Sequence, residues 1–371
     1  MKRLVLIIAL SLATLWAQAQ PPDETITAGN ANQLQPLWSL EPEGKPGNFV
    51  WGPGDVLAVE KLTGVFAYTA PDWNTPTLLT DQPVQLVGYD DNGTLYAFGP
   101  VGEGFPQQFP LVRVEADGSL TELITPEATD EVVQDFGLGN YAAIAPDGSL
   151  AAYAECTEGS EGSMSVSCSN YAMRVVDLAT GNVLWRLDSV GVGGPILPHA
   201  PLVFDRSGER LMVPKGIGYN AYDAQTGDLI YELLPPADDS AENEHLSTVV
   251  LSPDGTQWLT GGDRFMTWDV ETGENLWTGE PHYDVPGPYA TALDFAWTPT
   301  GNVVVARDTG FLIQTFPSDD PPRDEFGSNA VFADVPGISD WVWQITLSPS
   351  GDYFAAGDDR EVIVVWDTAA D

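Results

Sequence analysis

LSTVVLSPDGTQWLTGGDRFMTWDVETGENLWTG, residues 246 to 279, reads as four short strands joined by tight turns. Thr248 to Leu251 is a β-branched run. Ser252-Pro253-Asp254-Gly255 follows as a turn: proline pre-sets φ, aspartate bonds the backbone and glycine accepts a positive φ. Gln257 to Thr260 starts a second run, which Gly261-Gly262-Asp263 interrupts. Phe265 to Val270 is a third, ending in Trp268-Asp269. Glu271-Thr272-Gly273 turns the chain again into Asn275 to Thr278. Such a meander cannot bury both of its faces alone and needs neighbours of the same kind.

The neighbours are present. The first turn recurs at Asn92-Gly93, Pro146-Asp147-Gly148, Ser207-Gly208, Pro299-Thr300-Gly301 and Pro349-Ser350-Gly351, with Trp51-Gly52-Pro53-Gly54 as a weaker copy. The second recurs at Ala116-Asp117-Gly118, Ala179-Thr180-Gly181 and Gln225-Thr226-Gly227. The first-turn glycines, at 54, 93, 148, 208, 255, 301 and 351, lie 39, 55, 60, 47, 46 and 50 residues apart. A period near fifty with fixed turn chemistry predicts an all-β, seven-bladed β-propeller of four-stranded antiparallel blades.

The segments LSPDGTQWLTGGDRFMTWDVETG and LSPSGDYFAAGDDREVIVVWD resemble WD40 repeats, with Trp268-Asp269 and Trp366-Asp367 as the name-giving pairs. Val176-Asp177 and Tyr222-Asp223 are weaker echoes. The Gly-His pair that opens such repeats is absent, so the family's buried His-Ser-Asp-Trp network is not expected. At most, Asp263 with Trp268 and Asp359 with Trp366 would keep part of it. DLATGNVLWRL and DAQTGDLIYEL resemble the repeats of quinoprotein-type propellers, without the adjacent cysteines of some quinoprotein dehydrogenases.

The chain opens with Lys2 and Arg3, an apolar run from Leu4 to Trp16, and Ala17-Gln18-Ala19. This is the pattern of a secretory signal peptide over residues 1–19, and the apolar run is short for a spanning helix. No cysteine follows to anchor a lipid. A polar lead-in over 20–33 and one propeller domain over 34–371 complete the expected organisation, placing the protein in the periplasm or outside the cell. The last repeat supplies only three strands, Trp341–Leu347, Asp352–Ala356 and Glu361–Asp367. An open edge strand invites aggregation, so Leu34 to Leu40 is expected to close the ring as the missing fourth strand, beside Val362 to Trp366.

Cys156 and Cys168, the only cysteines, flank a Gly/Ser/Glu loop of an exported chain and read as a disulfide. The net charge is −40, and removing the signal leaves 12 basic against 54 acidic residues, or −42. Such a surface repels nucleic acid and anionic lipid and attracts cations or a basic partner. It also suits a salt-adapted surface. His199, His245 and His282 stand in no zinc-hydrolase spacing, and there is no G-x-S-x-G elbow. Asp90-Asp91, Asp238-Asp239, Asp319-Asp320 and Asp358-Asp359 do not match a calcium loop. No catalytic residue, metal site or cofactor is therefore assigned.

In a propeller, the interblade connections share a face with the loops between second and third strands, and WD40-like proteins commonly bind partners there. On this chain the face is expected to receive His282, Tyr283 and Tyr289, Trp341, and Phe105 and Phe109. Asp130, Glu131, Asp135, Asp238 and Glu242 would ring it with carboxylates. Aromatics with a polar edge are good interface anchors. The expected function is a monomeric, non-catalytic binding or scaffold module for a protein or small ligand with cationic character. The alternative is a propeller hydrolase or quinone-dependent dehydrogenase with its site at the central channel.

Overall fold

Ser252 shows how the repeat is built. Its hydroxyl accepts the N–H groups of Thr256 and Gln257 at 3.2 and 2.9 Å and donates to the Asp254 carboxylate at 2.7 Å. Gly255 sits at φ 76°, where an L side chain is strained. At the second turn the Asp269 carboxylate accepts from the Glu271 and Thr272 N–H groups and the Thr272 hydroxyl, at 3.0, 2.8 and 2.8 Å. These contacts hold the Asp254 and Asp269 carboxyls below their ordinary pKa. Asp177-Thr180 and Asp223-Thr226 repeat the second arrangement.

The computed structural model describes residues 36–40, 48–100, 109–125, 142–161, 166–190, 202–235, 246–262, 265–279, 294–298, 302–307, 310–315, 331–333, 338, 342–358 and 362–368. The expected signal peptide and lead-in lie outside them. After β1 (Pro36–Leu40) come β2 (Phe49–Gly52), β3 (Val56–Lys61), β4 (Gly64–Thr69) and β5 (Asp72–Thr80), which form sheet I. Sheet II is β6 (Gln85–Tyr89), β7 (Leu95–Phe98), β8 (Leu111–Val114) and β9 (Leu120–Ile124). Sheet III is β10 (Ala142–Ile144), β11 (Leu150–Glu161), β12 (Val166–Asp177) and β13 (Asn182–Val190). Sheet IV is β14 (Val203–Phe204), β15 (Arg210–Lys215), β16 (Gly218–Asp223) and β17 (Leu229–Leu233). The opening stretch of the sequence reading forms sheet V, β18 (Leu246–Leu251), β19 (Gln257–Gly262), β20 (Met266–Asp269) and β21 (Asn275–Thr278). Sheet VI is β22 (Asp294–Trp297), β23 (Asn302–Arg307), β24 (Gly310–Thr315) and β25 (Val331–Ala333). Sheet VII joins β26 (Val342–Leu347), β27 (Tyr353–Asp358) and β28 (Ile363–Asp367) to β1. Every pairing is antiparallel.

The first strand of each sheet packs on the first strand of the next, and β26 packs on β2. Apolar side chains fill each junction between consecutive sheets. Between V and VI these are Leu259, Phe265, Phe295 and Val303. Between VII and I they are Phe49, Leu57, Val59, Ile363 and Val365, with Trp38 and Leu40 of β1 against them. β1 runs antiparallel along β28, with Trp38 opposite Val365 and Leu40 opposite Ile363. The chain's first described strand thus completes its last sheet.

A second set of contacts ties the outer strands. Trp185 of β13 donates its indole N–H to the Ala224 carbonyl at 2.9 Å, and Tyr231 of β17 donates its hydroxyl to the Val270 carbonyl at 2.6 Å. Each ring lies against the turn glycine of the next sheet. A Cβ on Gly227 would meet Trp185 at 2.7 Å, and one on Gly273 would meet Tyr231 at 2.5 Å. Tyr231 also accepts the Trp258 indole N–H at 3.0 Å. Tyr231→Phe removes both bonds and leaves a fully buried indole unpaired. A loss of about 2–3 kcal/mol is expected, read from the shift in urea midpoint at constant m-value.

Asp263 and Asp359, expected to keep part of a WD-type network, lie outside the described residues. Trp268 donates to the Thr260 hydroxyl at 2.9 Å, and that hydroxyl lies 3.4 Å from the Met266 carbonyl. Two expectations are corrected. Phe109 is no surface anchor. It is 9% exposed and packs with Leu111, Ile124 and Tyr153 between sheets II and III. The Cys156–Cys168 disulfide has no support in the register: Cys156 stands opposite Tyr171, and Cys168 opposite Gly159. Three residue steps are about 10 Å of strand, more than the roughly 7 Å between Cα atoms that a bridge tolerates.

Candidate partner-binding face

Antiparallel alternation puts the starts of the first strands, the ends of the second strands and the β-turns between second and third strands on one face. The backbone there is drawn tight by glycine. A Cβ on Gly64 would lie 2.0 Å from the Thr80 carbonyl oxygen, and one on Gly218 would lie 2.1 Å from that of Leu233. Strand four thus ends directly against the first residue of strand three, and the turn before it projects outward. On sheet I this turn carries Leu62, which is exposed. On sheet IV it carries Ile217, with Leu234 beside it, also exposed. Large apolar side chains at turn tips have no folding role to explain them.

The inner rim of the same face is polar. Glu60 accepts the Leu86 N–H at 3.2 Å across the junction of sheets I and II. Asp294 accepts the Phe295 and Ile345 N–H groups, both at 2.9 Å, the second across the junction of VI and VII. Gln344 donates to the Phe49 carbonyl at 2.8 Å and joins VII to I. Burial pushes the Glu60 and Asp294 carboxyls up to about 7, against the downward pull of those amide bonds. Lys61 donates to the Tyr68 hydroxyl at 2.8 Å and lies 4.8 Å from the Phe66 ring centroid, so this cation is drawn back over the sheet.

The two raised carboxyls make a signed prediction. Their folded pKa values stand above those of the unfolded chain, so the folded state binds protons more tightly. Their favourable contribution is complete below about pH 4 and is lost as pH rises through 7. The self-repulsion of a chain with net charge −40 acts in the same direction. The melting temperature is expected to fall between pH 5 and 8, and less so in the Glu60→Gln, Asp294→Asn double variant. Parallel curves for the two proteins would contradict this assignment.

Of the site residues read from the sequence, His282, Tyr283, Tyr289, Trp341, Phe105, Asp238 and Glu242 lie outside the described residues, as do Asp130, Glu131 and Asp135. Sequence reasoning missed Leu62, Ile217 and Leu234. For Leu62 and Ile217 the signal was a lysine followed within three residues by glycine, in KLTG and KGIG, with an apolar residue where a turn is normally polar. On the opposite face a cavity of about 560 Å³ opens between sheets I and II, beside Leu79, Tyr89, Arg113 and Glu115. Arg113 gives Nε and a terminal N–H to one Glu115 oxygen at 2.9 and 2.7 Å, so the two charges largely satisfy each other. Among the described residues no group of His, Cys, Asp and Glu could hold a metal, and no helix is long and apolar enough to cross a membrane.

No protein family matches the chain by sequence, and no curated protein does. Among solved structures it is similar to a chain of the crystal structure of the Mitotic Checkpoint Complex, with a TM-score of 0.57 and 14% identity over 98% of both chains. At that identity the likeness concerns the fold. Together with the circuit of four-stranded antiparallel sheets, it makes this chain an all-β propeller.

Proposed function

We propose that this chain is an exported, monomeric, seven-bladed propeller that works as a non-catalytic binding or scaffold module, engaging a protein with a cationic surface on the face that carries Leu62, Ile217 and Leu234. The observation that carries this reading is the exposure of those three apolar tips on a chain with net charge −40. Apolar anchors give affinity, while the surrounding negative potential selects basic partners and speeds their encounter. The seven sheets and their continuous circuit of inner-strand contacts support a single closed ring. The structural neighbour belongs to a protein assembly, which supports protein binding as a use of this fold. His282, Tyr283, Tyr289 and Trp341 would extend the same surface.

Export rests on Lys2, Arg3, the apolar run and Ala17-Gln18-Ala19. The mature protein is expected to begin at Gln20, as read by N-terminal sequencing; an intact Met1 on the extracted protein would contradict it. The binding surface is tested by affinity capture from the envelope and secreted fractions with the wild type and the Leu62→Ser, Ile217→Ser, Leu234→Ser variant. A basic protein retained by the wild type and lost by the variant supports the proposal. The same proteins retained by both overturn it.

A further inference from the structure

The outer strands of sheets III, IV and V share a feature that neither the core nor the proposed face uses. In β13, Val175 and Val176 of the neighbouring strand pair with Trp185 and Val183, so Leu184 has no partner. In β17, Ala221 and Tyr222 pair with Tyr231 and Leu229, leaving Ile230 unpaired. In β21, Thr267 and Trp268 pair with Trp277 and Asn275, leaving Leu276 unpaired. The same bulge therefore falls at residues 184, 230 and 276, twice 46 residues apart, and each time just before an aromatic. The bulged side chains are 38, 42 and 50% exposed.

A bulge on an edge strand has a known use: it interrupts the row of free backbone groups and prevents pairing with another chain. That use does not call for an apolar residue, and a polar one would lower the solvation cost. Val183 and Leu229, directly preceding two of the bulges, are also exposed. The rim thus carries a periodic row of apolar knobs on three consecutive sheets. Its charges are nearly all of one sign. Asp188, Asp228, Glu232 and Glu274 stand on or beside these strands. The cation within them is Arg186, whose Nε is 2.9 Å from the Asp188 carboxylate.

We propose that this rim is a second docking surface, on which an amphipathic cationic polypeptide sets apolar side chains against Leu184, Ile230 and Leu276 and basic ones against the flanking carboxylates. Charge complementarity decides the occupant. A second copy of a chain with net charge −40 and an anionic bilayer are both repelled, whereas a basic segment is attracted and can bury the knobs. Three sites in fixed spacing also favour a partner long enough to span several sheets, because each contact raises the effective concentration for the next.

The test uses the full chain and an 18-residue synthetic peptide of alternating leucine and lysine. Binding is followed by fluorescence anisotropy at about 0.5 M NaCl, where the Debye length is near 4 Å and general attraction is screened. The Leu184→Ser, Ile230→Ser, Leu276→Ser variant is expected to bind at least ~10-fold more weakly than the wild type, with its melting temperature unchanged. The Leu62→Ser, Ile217→Ser, Leu234→Ser variant is expected to be weakened less than the rim variant, which separates this rim from the proposed face. Equal binding by the rim variant, equal weakening by the tip variant, or no binding by the wild type would overturn the proposal. So would rim-dependent attachment to phosphatidylglycerol vesicles, or rim-dependent dimers in sedimentation.

Discussion

Alanine in place of Gly64 or Gly218 is expected to abolish most of the folded protein. At both positions the added Cβ would lie about 2 Å from a backbone carbonyl oxygen, at 2.0 Å from Thr80 and 2.1 Å from Leu233. Neither oxygen can retreat without breaking the strand-three to strand-four ladder, since Val65 pairs with Thr80 and Tyr219 with Leu233. Gly64 carries the added strain of φ +125°. A loss above roughly 4 kcal/mol follows, in the range reserved for backbone clashes and buried disruption. Gly54 is the internal control. It has φ +73° but nothing within 4 Å of its Cβ, so alanine there pays only the conformational penalty, about 1–2 kcal/mol. Soluble yield and urea midpoints of the three variants should separate accordingly. Similar losses at all three would mean that the close carbonyl does not set the cost.

Removing β1 is the second large effect. Ile363, Val364, Val365 and Trp366 of β28 are fully buried, and β1 covers their open edge. Trp38 also lies against Tyr68 and Trp73, with ring centroids 4.5 and 6.1 Å apart. A chain that starts after Leu40 loses those contacts and exposes a buried strand edge. More than ~5 kcal/mol of stability should go with them, and the truncated protein should aggregate through β28. The smaller change Trp38→Ala should cost about 3–5 kcal/mol. A truncated chain that melts as the full one does would show that the last sheet does not need the first strand.

The repeats were legible because turn chemistry is local. Pro253, Asp254 and Gly255 specify their backbone whatever surrounds them, and the same holds at Asp147-Gly148 and Ser350-Gly351. The fate of β1 followed from counting, as a last repeat one strand short had to borrow one. What depends on register was not legible. Thr260 meets the Trp268 indole only because β19 and β20 pair Thr260 with Met266. The register of β11 on β12 sets Cys156 and Cys168 three positions apart, which spacing along the chain cannot reveal. Phe109 is buried because it sits just before β8, at the junction with sheet III. Glu60 and Asp294 look like any two carboxylates among 54 until the neighbouring strands supply their amide partners. The exposed rim was written in the text as LW, IY and LW at intervals of 46. Its meaning needed the bulges, since in a regular strand one residue of each pair would face inward.

The shared last sheet can be tested by cross-linking. Ser39 of β1 stands directly opposite Val364 of β28. With Cys156 and Cys168 replaced by serine, the Ser39→Cys, Val364→Cys protein should oxidise to an intramolecular disulfide, seen as a faster non-reducing gel band and a mass two units lower, and should melt at a higher temperature than its reduced form. Free thiols after oxidation, or bridges only between molecules, would contradict a ring closed by its own first strand.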